Sequence, residues 1–161
     1  MTDARGSQGE DDPYNLGRFV QAQARDFERA LAEITRGEKR SHWMWYIFPQ
    51  LDGLAFSSTA KHYAIKGLDE AKAYLAHPVL GARLRACAEA LLPVEGRSAT
   101  QIFGYPDDLK LRSCATLFAA VSPPGSVFQR VLDKYYGGQP DRKTLTLLGV
   151  HPQASDDSRQ R

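Results

Sequence analysis

The sequence predicts an all-α fold, with a single globular domain of about seven or eight helices between residues 13 and 150. Through most of that region, apolar residues recur at three- and four-residue spacing, which is the period of one helix face. Residues typical of helix ends, mainly Ser, Asp, Pro and Gly, separate these segments at short intervals. No alternating apolar and polar segment is long enough to predict a sheet.

The first helix is the longest and covers residues 16–36. Its apolar face includes Phe19, Phe27 and Ile34 at helical spacing. Asn15 is the predicted N-cap, because its side chain can accept a hydrogen bond from the first turn. Gly37 is the predicted stop, because glycine tolerates the left-handed conformation that ends many helices.

An aromatic block follows at residues 41–50 and contains both tryptophans of the chain. As a helix it must end near Phe48, because Pro49 disfavours the α conformation in the residue before it. As a strand it would run through Phe48. The apolar run is too short for its periodicity to decide between the two.

Short helical segments fill the rest of the chain, and most carry a recognisable capping residue or break. They are predicted at residues 57–66, 69–76, 78–92, 98–103, 106–121, 126–136 and 143–148. Residues 1–12 and 151–161 are nearly free of large apolar side chains, so the sequence predicts disordered tails on both sides of the domain.

Charge and composition narrow the function classes. The formal net charge is +2, but residues 13–150 alone hold 18 Lys and Arg against 13 Asp and Glu. This mild positive bias favours an anionic small molecule as partner. Nucleic acid is not expected, since no run exceeds two adjacent basic residues and such partners need a clustered basic face.

The chain is expected to be cytoplasmic. It lacks the roughly 20 consecutive apolar residues of a membrane span, and no apolar segment follows the N-terminal charges as in a signal peptide. Cys87 and Cys114 both lie within apolar patterns, which favours buried free thiols over a disulfide. No membrane partner is predicted.

No motif for a metal or a cofactor is present. The four histidines form no pair at metal-ligating spacing, and neither cysteine has a neighbour that could complete a zinc site. Glycine-rich phosphate loops and nucleophile elbows are also missing. We therefore predict no metal and no cofactor.

Polar residues beside aromatic ones mark the candidate site. Trp43 or Trp45 could stack on a flat ligand group, and Ser41, Gln50 and Tyr63 could supply hydrogen bonds. A further cluster, Lys61, His62 and Tyr63, follows in the next helix.

The start of the helix at residues 106–121 offers a place for a negative charge, where Lys110 and Ser113 would bind an anion. Asp107 and Asp108 argue against this, since they already complement the helix dipole. If the protein is an enzyme, His42 or Asp108 would be the acid or base, because an unperturbed histidine titrates near neutrality.

Two functions remain open from the residues alone. The first is binding or processing of an anionic, nucleotide- or ADP-ribose-like small molecule in a pocket lined by tryptophan. The second is a non-catalytic protein-interaction domain, in which the aromatic block is core or a docking patch. The burial of the two tryptophans distinguishes these two functions.

Several segments resemble a bacterial family of unknown function, domain-of-unknown-function family 1810, which also carries the label calpastatin. The matching segments are residues 41–50, 51–54, 63–65, 70–78, 80–84, 102–104, 108–113, 116–118 and 131–135. The resemblance covers residues 13–149 and implies a mainly α-helical single domain without an established activity. Nothing in these residues supports inhibition of calpain. The chain departs from the family pattern at Ala55 and at Cys114.

A fainter resemblance concerns small α-helical domains that act on ADP-ribose derivatives. It is carried by residues 19–23 of the first helix and by His77, Pro78 and Leu80 before a leucine-rich helix. This resemblance implies a ligand that contains a nucleotide-derived sugar.

Overall fold

The computed structural model describes residues 12–150. These residues form nine helices: α1 Gly17–Arg36, α2 Met44–Ile47, α3 Ser58–His62, α4 Leu68–Ala76, α5 Leu80–Leu91, α6 Ala99–Phe103, α7 Asp107–Ala120, α8 Val127–Tyr136 and α9 Arg142–Leu148. Within this range there is no strand, only one isolated parallel bridge between Leu51 and Ile65. The all-α prediction is confirmed.

The core lies between helices that are distant along the chain. Helix α1 packs along α5 and against α2, while α7 packs along α8. Tyr74 of α4 is fully buried between Phe19 of α1 and Phe118 of α7, with ring centroids 5.1 Å and 5.3 Å away. Aromatic contacts therefore join the first helix to the second half of the chain.

Most helix ends follow the local sequence as predicted. Gly37 adopts a left-handed conformation with φ of 80° at the end of α1. The side chains of Ser57, Ser98, Ser126 and Asp141 each accept a backbone hydrogen bond at the start of a helix. These caps satisfy N–H groups that have no partner within the helix.

The predicted cap of α1 is wrong. Asn15 has φ of 53° and its side chain caps nothing. Asp12 takes this role, because its two carboxylate oxygens accept hydrogen bonds from the backbone N–H groups of Leu16 and Gly17 at 2.6 Å and 2.9 Å. The rest of the predicted tails, residues 1–11 and 151–161, lies outside the described residues.

The aromatic block is helical only over Met44–Ile47, and Phe48 ends this turn before Pro49. The chain then runs extended and pairs with residues 64–66, since Ile65 N–H donates to the Gln50 carbonyl and Asp52 N–H to the Ile65 carbonyl. This pairing ends α3 at His62, four residues earlier than the sequence predicts.

Candidate functional site

Trp43 belongs to the core. Its side chain is fully buried, and its ring lies against Phe48 and Phe103. Its indole N–H donates to the Glu33 carboxylate at 2.9 Å. No face of this ring is accessible to a ligand.

Glu33 is the buried acceptor that organises the start of the aromatic block. Besides Trp43, its carboxylate accepts hydrogen bonds from Arg40 N–H, Ser41 N–H and the Ser41 hydroxyl, at 2.8, 3.0 and 2.7 Å. Burial disfavours its charge, but the donated hydrogen bonds outweigh burial and lower the pKa of Glu33 to about 2. The hydroxyl of Ser41 is thus bound internally.

His42 and Asp108, the two predicted acid–base residues, share no hydrogen bond or ion pair in the described chain. His42 is exposed, and its imidazole makes no hydrogen bond to the described residues. Asp108 is buried, and its oxygens accept from the Thr100 hydroxyl at 2.6 Å and from Leu109 N–H at 2.9 Å. Ser113 is likewise buried, and its hydroxyl donates to the Leu109 carbonyl at 3.2 Å.

Trp45 lies in a different environment from Trp43. It is half-buried, and the Lys110 ammonium lies 3.8 Å from its ring centroid, a cation–π contact. Lys110 and Lys39 both pair with Asp107, at 3.1 Å and 2.8 Å. Burial opposes the charge of Asp107, but these two lysines lower its pKa.

A cavity of about 10 Å³ opens beside Trp45, and we call it the Trp45 cavity. It is lined by Trp45, Gln50, Leu51, Ala55, Ala60, Tyr63 and Ala64. Gln50 is 9% exposed, and its side-chain amide has no hydrogen-bond partner among residues 12–150. The volume matches one water molecule, which could bond to that amide.

A larger depression lies on the other side of α3, between the start of α1 and the start of α4. We call it the Arg18 groove. Its volume is about 410 Å³, and it is lined by Pro13, Tyr14, Asn15, Arg18, Lys61, His62, Lys66 and Glu70. Its size falls in the range of about 300–1,000 Å³ that is typical of small-molecule sites.

Arg18 lines the groove, and its guanidinium donates five hydrogen bonds within the described chain. Its guanidinium donates to the backbone carbonyls of Tyr14, Asn15, His62 and Ala64, at 2.7 to 2.9 Å. It also donates to Glu70 at 2.8 Å, and both side chains of this pair are less than a tenth exposed. Arg18 therefore ties α1 to α3 and to the start of α4.

The rim of the groove is positively charged. Lys61, His62 and Lys66 are exposed, and none forms an ion pair with a residue in the described range. Glu70 is the lining carboxylate, and Arg18 compensates its charge. The charged lining residues thus sum to +2 with neutral His62.

The Arg18 groove and the Trp45 cavity share a wall. His62 lines the groove, Tyr63 lines the cavity, and their rings meet edge to face at 4.6 Å. Of the residues proposed from the sequence, the structure thus gathers Trp45, Gln50 and Tyr63 around one cavity, with Lys110 over Trp45.

Sequence reasoning missed the residues that build the groove, apart from Lys61 and His62. Arg18 and Glu70 are 52 residues apart, so no local pattern links them. Glu33 did carry a signal, because it is a charged residue on the apolar face of α1 beside Ile34. A charge at such a position must be compensated by nearby donors.

Comparison with known proteins decides the family. The model of a family described as a protein of unknown function, DUF1810, matches residues 13–148. The chain belongs to this family. Among solved structures, this DUF1810 chain is similar to the crystal structure of the conserved hypothetical protein Rv1873 from Mycobacterium tuberculosis, with 50% sequence identity and a TM-score of 0.84. The match covers 86% of this chain and 99% of that one. No curated protein matches.

No group of three or more His, Cys, Asp or Glu side chains among residues 12–150 is arranged to hold a metal ion. No described helix combines the length and the apolar character that crossing a membrane requires.

Proposed function

We propose that this DUF1810 protein binds an anionic small molecule, nucleotide- or ADP-ribose-like, in the Arg18 groove. The observation that carries the proposal is the pair of exposed ammonium groups, Lys61 and Lys66, with the imidazole of His62, around a groove of about 410 Å³. Charged donors that lack a carboxylate partner are available for a phosphate or carboxylate group.

The groove also offers a surface for a flat group. Tyr14 lines it and is 36% exposed, so its ring is available for stacking. Phe56 is not a lining residue, but it is 69% exposed and its ring centroid lies 6.0 Å from the ammonium of Lys61 on the rim. An aromatic ligand with a negative charge fits this combination of aromatic and cationic side chains.

The Trp45 cavity has a smaller part in this proposal. A space of about 10 Å³ admits one water and not a nucleotide base. We assign Trp45, Gln50 and Tyr63 to the wall behind the groove, where Tyr63 positions His62 through their edge-to-face contact. Lys110 holds Trp45 in this wall through its cation–π contact.

The competing function, a protein-interaction domain, has one specific observation in its favour. Tyr105 and Leu109, on either side of the start of α7, are 77% and 46% exposed. Large apolar side chains at the surface are common in monomeric proteins when they are scattered, so this pair weighs less than the groove.

Calorimetric titration of the full chain with ADP tests the proposal. We expect one site, and binding weaker by about ten-fold or more in the double variant Lys61→Gln/Lys66→Gln, because charge-assisted hydrogen bonds to the phosphates are lost. Adenosine, which lacks the phosphates, should bind much more weakly than ADP.

The matched control is Lys72→Gln/Lys143→Gln, which removes the same charge from exposed positions outside the groove. It should leave the affinity for ADP unchanged, and neither double variant should shift the melting temperature. An equal loss of affinity in both double variants would show that the effect depends on the overall charge and not on the groove. Failure of ADP, ADP-ribose and NAD to bind would leave the interaction function as the better candidate.

A further inference from the structure

We infer that Asn15 selects the base of the ligand in the Arg18 groove, and that the groove prefers adenine over hypoxanthine and guanine. The inference rests on the proposed function, because it takes the groove as a nucleotide site. It adds the base to the phosphates as a determinant of binding. It also assigns a role to a side chain that caps no helix.

The groove has two walls of different chemistry, and the guanidinium of Arg18 lies between them. Its Nη1 atom donates to two carbonyls of residues 13–15, and its Nε and Nη2 atoms donate to two carbonyls of residues 61–66. The side chains of the first wall carry no charge, whereas the second wall holds both lysines of the rim. A ligand with a flat uncharged end and an anionic end therefore fits across the groove, with its flat end against residues 13–15.

Asn15 holds a left-handed backbone conformation on the uncharged wall. Its φ is 53°, and among residues 12–150 it is the one residue other than glycine with a positive φ. Its N–H donates to the Asp12 carbonyl at 3.0 Å, and its carbonyl accepts from the N–H and Nη1 of Arg18 at 3.3 Å and 2.9 Å. Glycine would adopt this conformation with less strain, so the backbone alone does not require a carboxamide here.

The carboxamide of Asn15 is available to a ligand. The residue is exposed and lines the groove, and its side chain forms no hydrogen bond within the described range. It directly follows Tyr14, whose ring is 36% exposed and offers a stacking surface. A base that stacks on Tyr14 therefore lies beside a group that can both donate and accept hydrogen bonds.

Adenine is the purine base that matches a carboxamide at two neighbouring positions. Its N6 amino group donates to the carboxamide oxygen, while its N7 accepts from the carboxamide nitrogen, as in the asparagine–adenine pairs of nucleic-acid recognition. Hypoxanthine and guanine carry a carbonyl in place of the N6 amino group. They present two acceptors at this edge, so only one of the two hydrogen bonds can form.

Calorimetric titration of the full chain with ADP and with inosine diphosphate, IDP, tests the inference, because the two differ only at position 6 of the base. We expect ADP to bind about five- to ten-fold more tightly, which corresponds to one net hydrogen bond. 7-Deaza-ADP, which has a carbon in place of N7, should lose a similar factor. Added salt should weaken ADP and IDP in parallel, since it screens the phosphate contacts and leaves the base contacts unchanged.

Three variants separate the base contact from the other contacts. Asn15→Gly removes the carboxamide and tolerates the positive φ, so the melting temperature should not fall, while ADP and IDP should bind equally. Lys61→Gln/Lys66→Gln is the control on the opposite wall and should weaken both nucleotides without changing their ratio. Tyr14→Leu should also keep the ratio, because stacking on an aromatic ring tolerates any base.

The outcomes distinguish this inference from the proposed function. Equal binding of ADP and IDP to the native chain, or a preference for ADP that persists in Asn15→Gly, would overturn the role of Asn15 and leave the groove as a nucleotide site. A preference that is lost equally in the lysine variant would also overturn it. If neither nucleotide binds to the native chain, the proposed function fails and the inference fails with it.

Discussion

The two ends of α1 use a buried charge in opposite ways. Near the end of the helix, Glu33 accepts four hydrogen bonds from a single neighbouring segment, residues 40–43. Near its start, Arg18 donates five hydrogen bonds to three parts of the chain. Both charges are internally satisfied, as buried charges must be.

The difference lies in the charges around each end. Both carboxylate oxygens of Glu33 accept hydrogen bonds from within the domain, and the Trp43 ring bonded to them is fully buried. The end of α1 therefore belongs to the core. Around Arg18, Lys61 and Lys66 form no ion pair within the described chain, and a groove stays open. At both ends of α1 a fully hydrogen-bonded buried charge thus stabilises the fold. Only the start of α1 also has exposed charges beside it, and these form the candidate site.

The largest expected effect comes from breaking the Arg18 end. Arg18→Met leaves the Glu70 carboxylate, which is 2% exposed, without its cation. We expect a loss of about 3–5 kcal/mol in the free energy of unfolding, measured by urea denaturation. The exposed Arg130→Met should change it by less than about 0.5 kcal/mol. Similar values for the two variants would contradict the structural role of Arg18.

Breaking the Glu33 end should cost less stability than breaking the Arg18 end, and the loss should depend on pH. Glu33→Gln replaces a charged acceptor by a neutral amide, with an expected loss of about 2–3 kcal/mol near pH 7. The pKa of about 2 in the folded state lies below the ordinary glutamate value of 4.5, so the charged carboxylate stabilises the native state above pH 4.5. That stabilisation should fade as the pH drops from 4.5 towards 2.

Urea denaturation of both proteins across this pH range measures the effect. The gap between the native chain and Glu33→Gln should narrow as the solution becomes more acidic. Glu38→Gln serves as the control, because Glu38 is 51% exposed and makes only a surface ion pair. A gap that stays constant down to pH 2 would show that the hydrogen bonds do not depend on the charge of Glu33.

The smallest effects distinguish the two tryptophans. Trp43→Phe removes the indole N–H bonded to Glu33 and leaves a gap in the core, for an expected loss of about 1–3 kcal/mol. Trp45→Phe should lose less than about 1 kcal/mol, since Trp45 is half-buried. In Trp45→Phe the remaining emission should be blue-shifted and resist acrylamide, whereas in Trp43→Phe it should be quenched. Equal quenching would contradict the different burial.

Much of the helical framework was predictable because its causes are local. The caps at Ser98 and Asp141 and the stop at Gly37 each act within about four residues, so they can be read from the chain directly. The cap of α1 was missed because Asp12 and Asn15 are both suitable residues, and only the path of the backbone selects between them. The early end of α3 has a similar cause, since pairing with residues 50–52 is not a local property.

The candidate site was harder to predict. The sequence placed Trp43 and Trp45 together, two residues apart, yet one is core and the other lines a cavity. A helical turn points successive side chains in different directions, so which of the two is buried depends on the helices that pack around them. The cluster at Lys61 and His62 was visible, but its partners on α1 and α4 were not.

By itself the sequence determined the all-α class, the positions of most helix ends and the family, because these depend on periodicity, capping and local motifs. Tertiary structure alone decided that Arg18 meets Glu70 and the carbonyls of residues 62 and 64, and that the Arg18 groove lies beside them. The physical reason is distance along the chain. Contacts between residues more than 40 positions apart form only when packed helices bring them together, and no local preference encodes them.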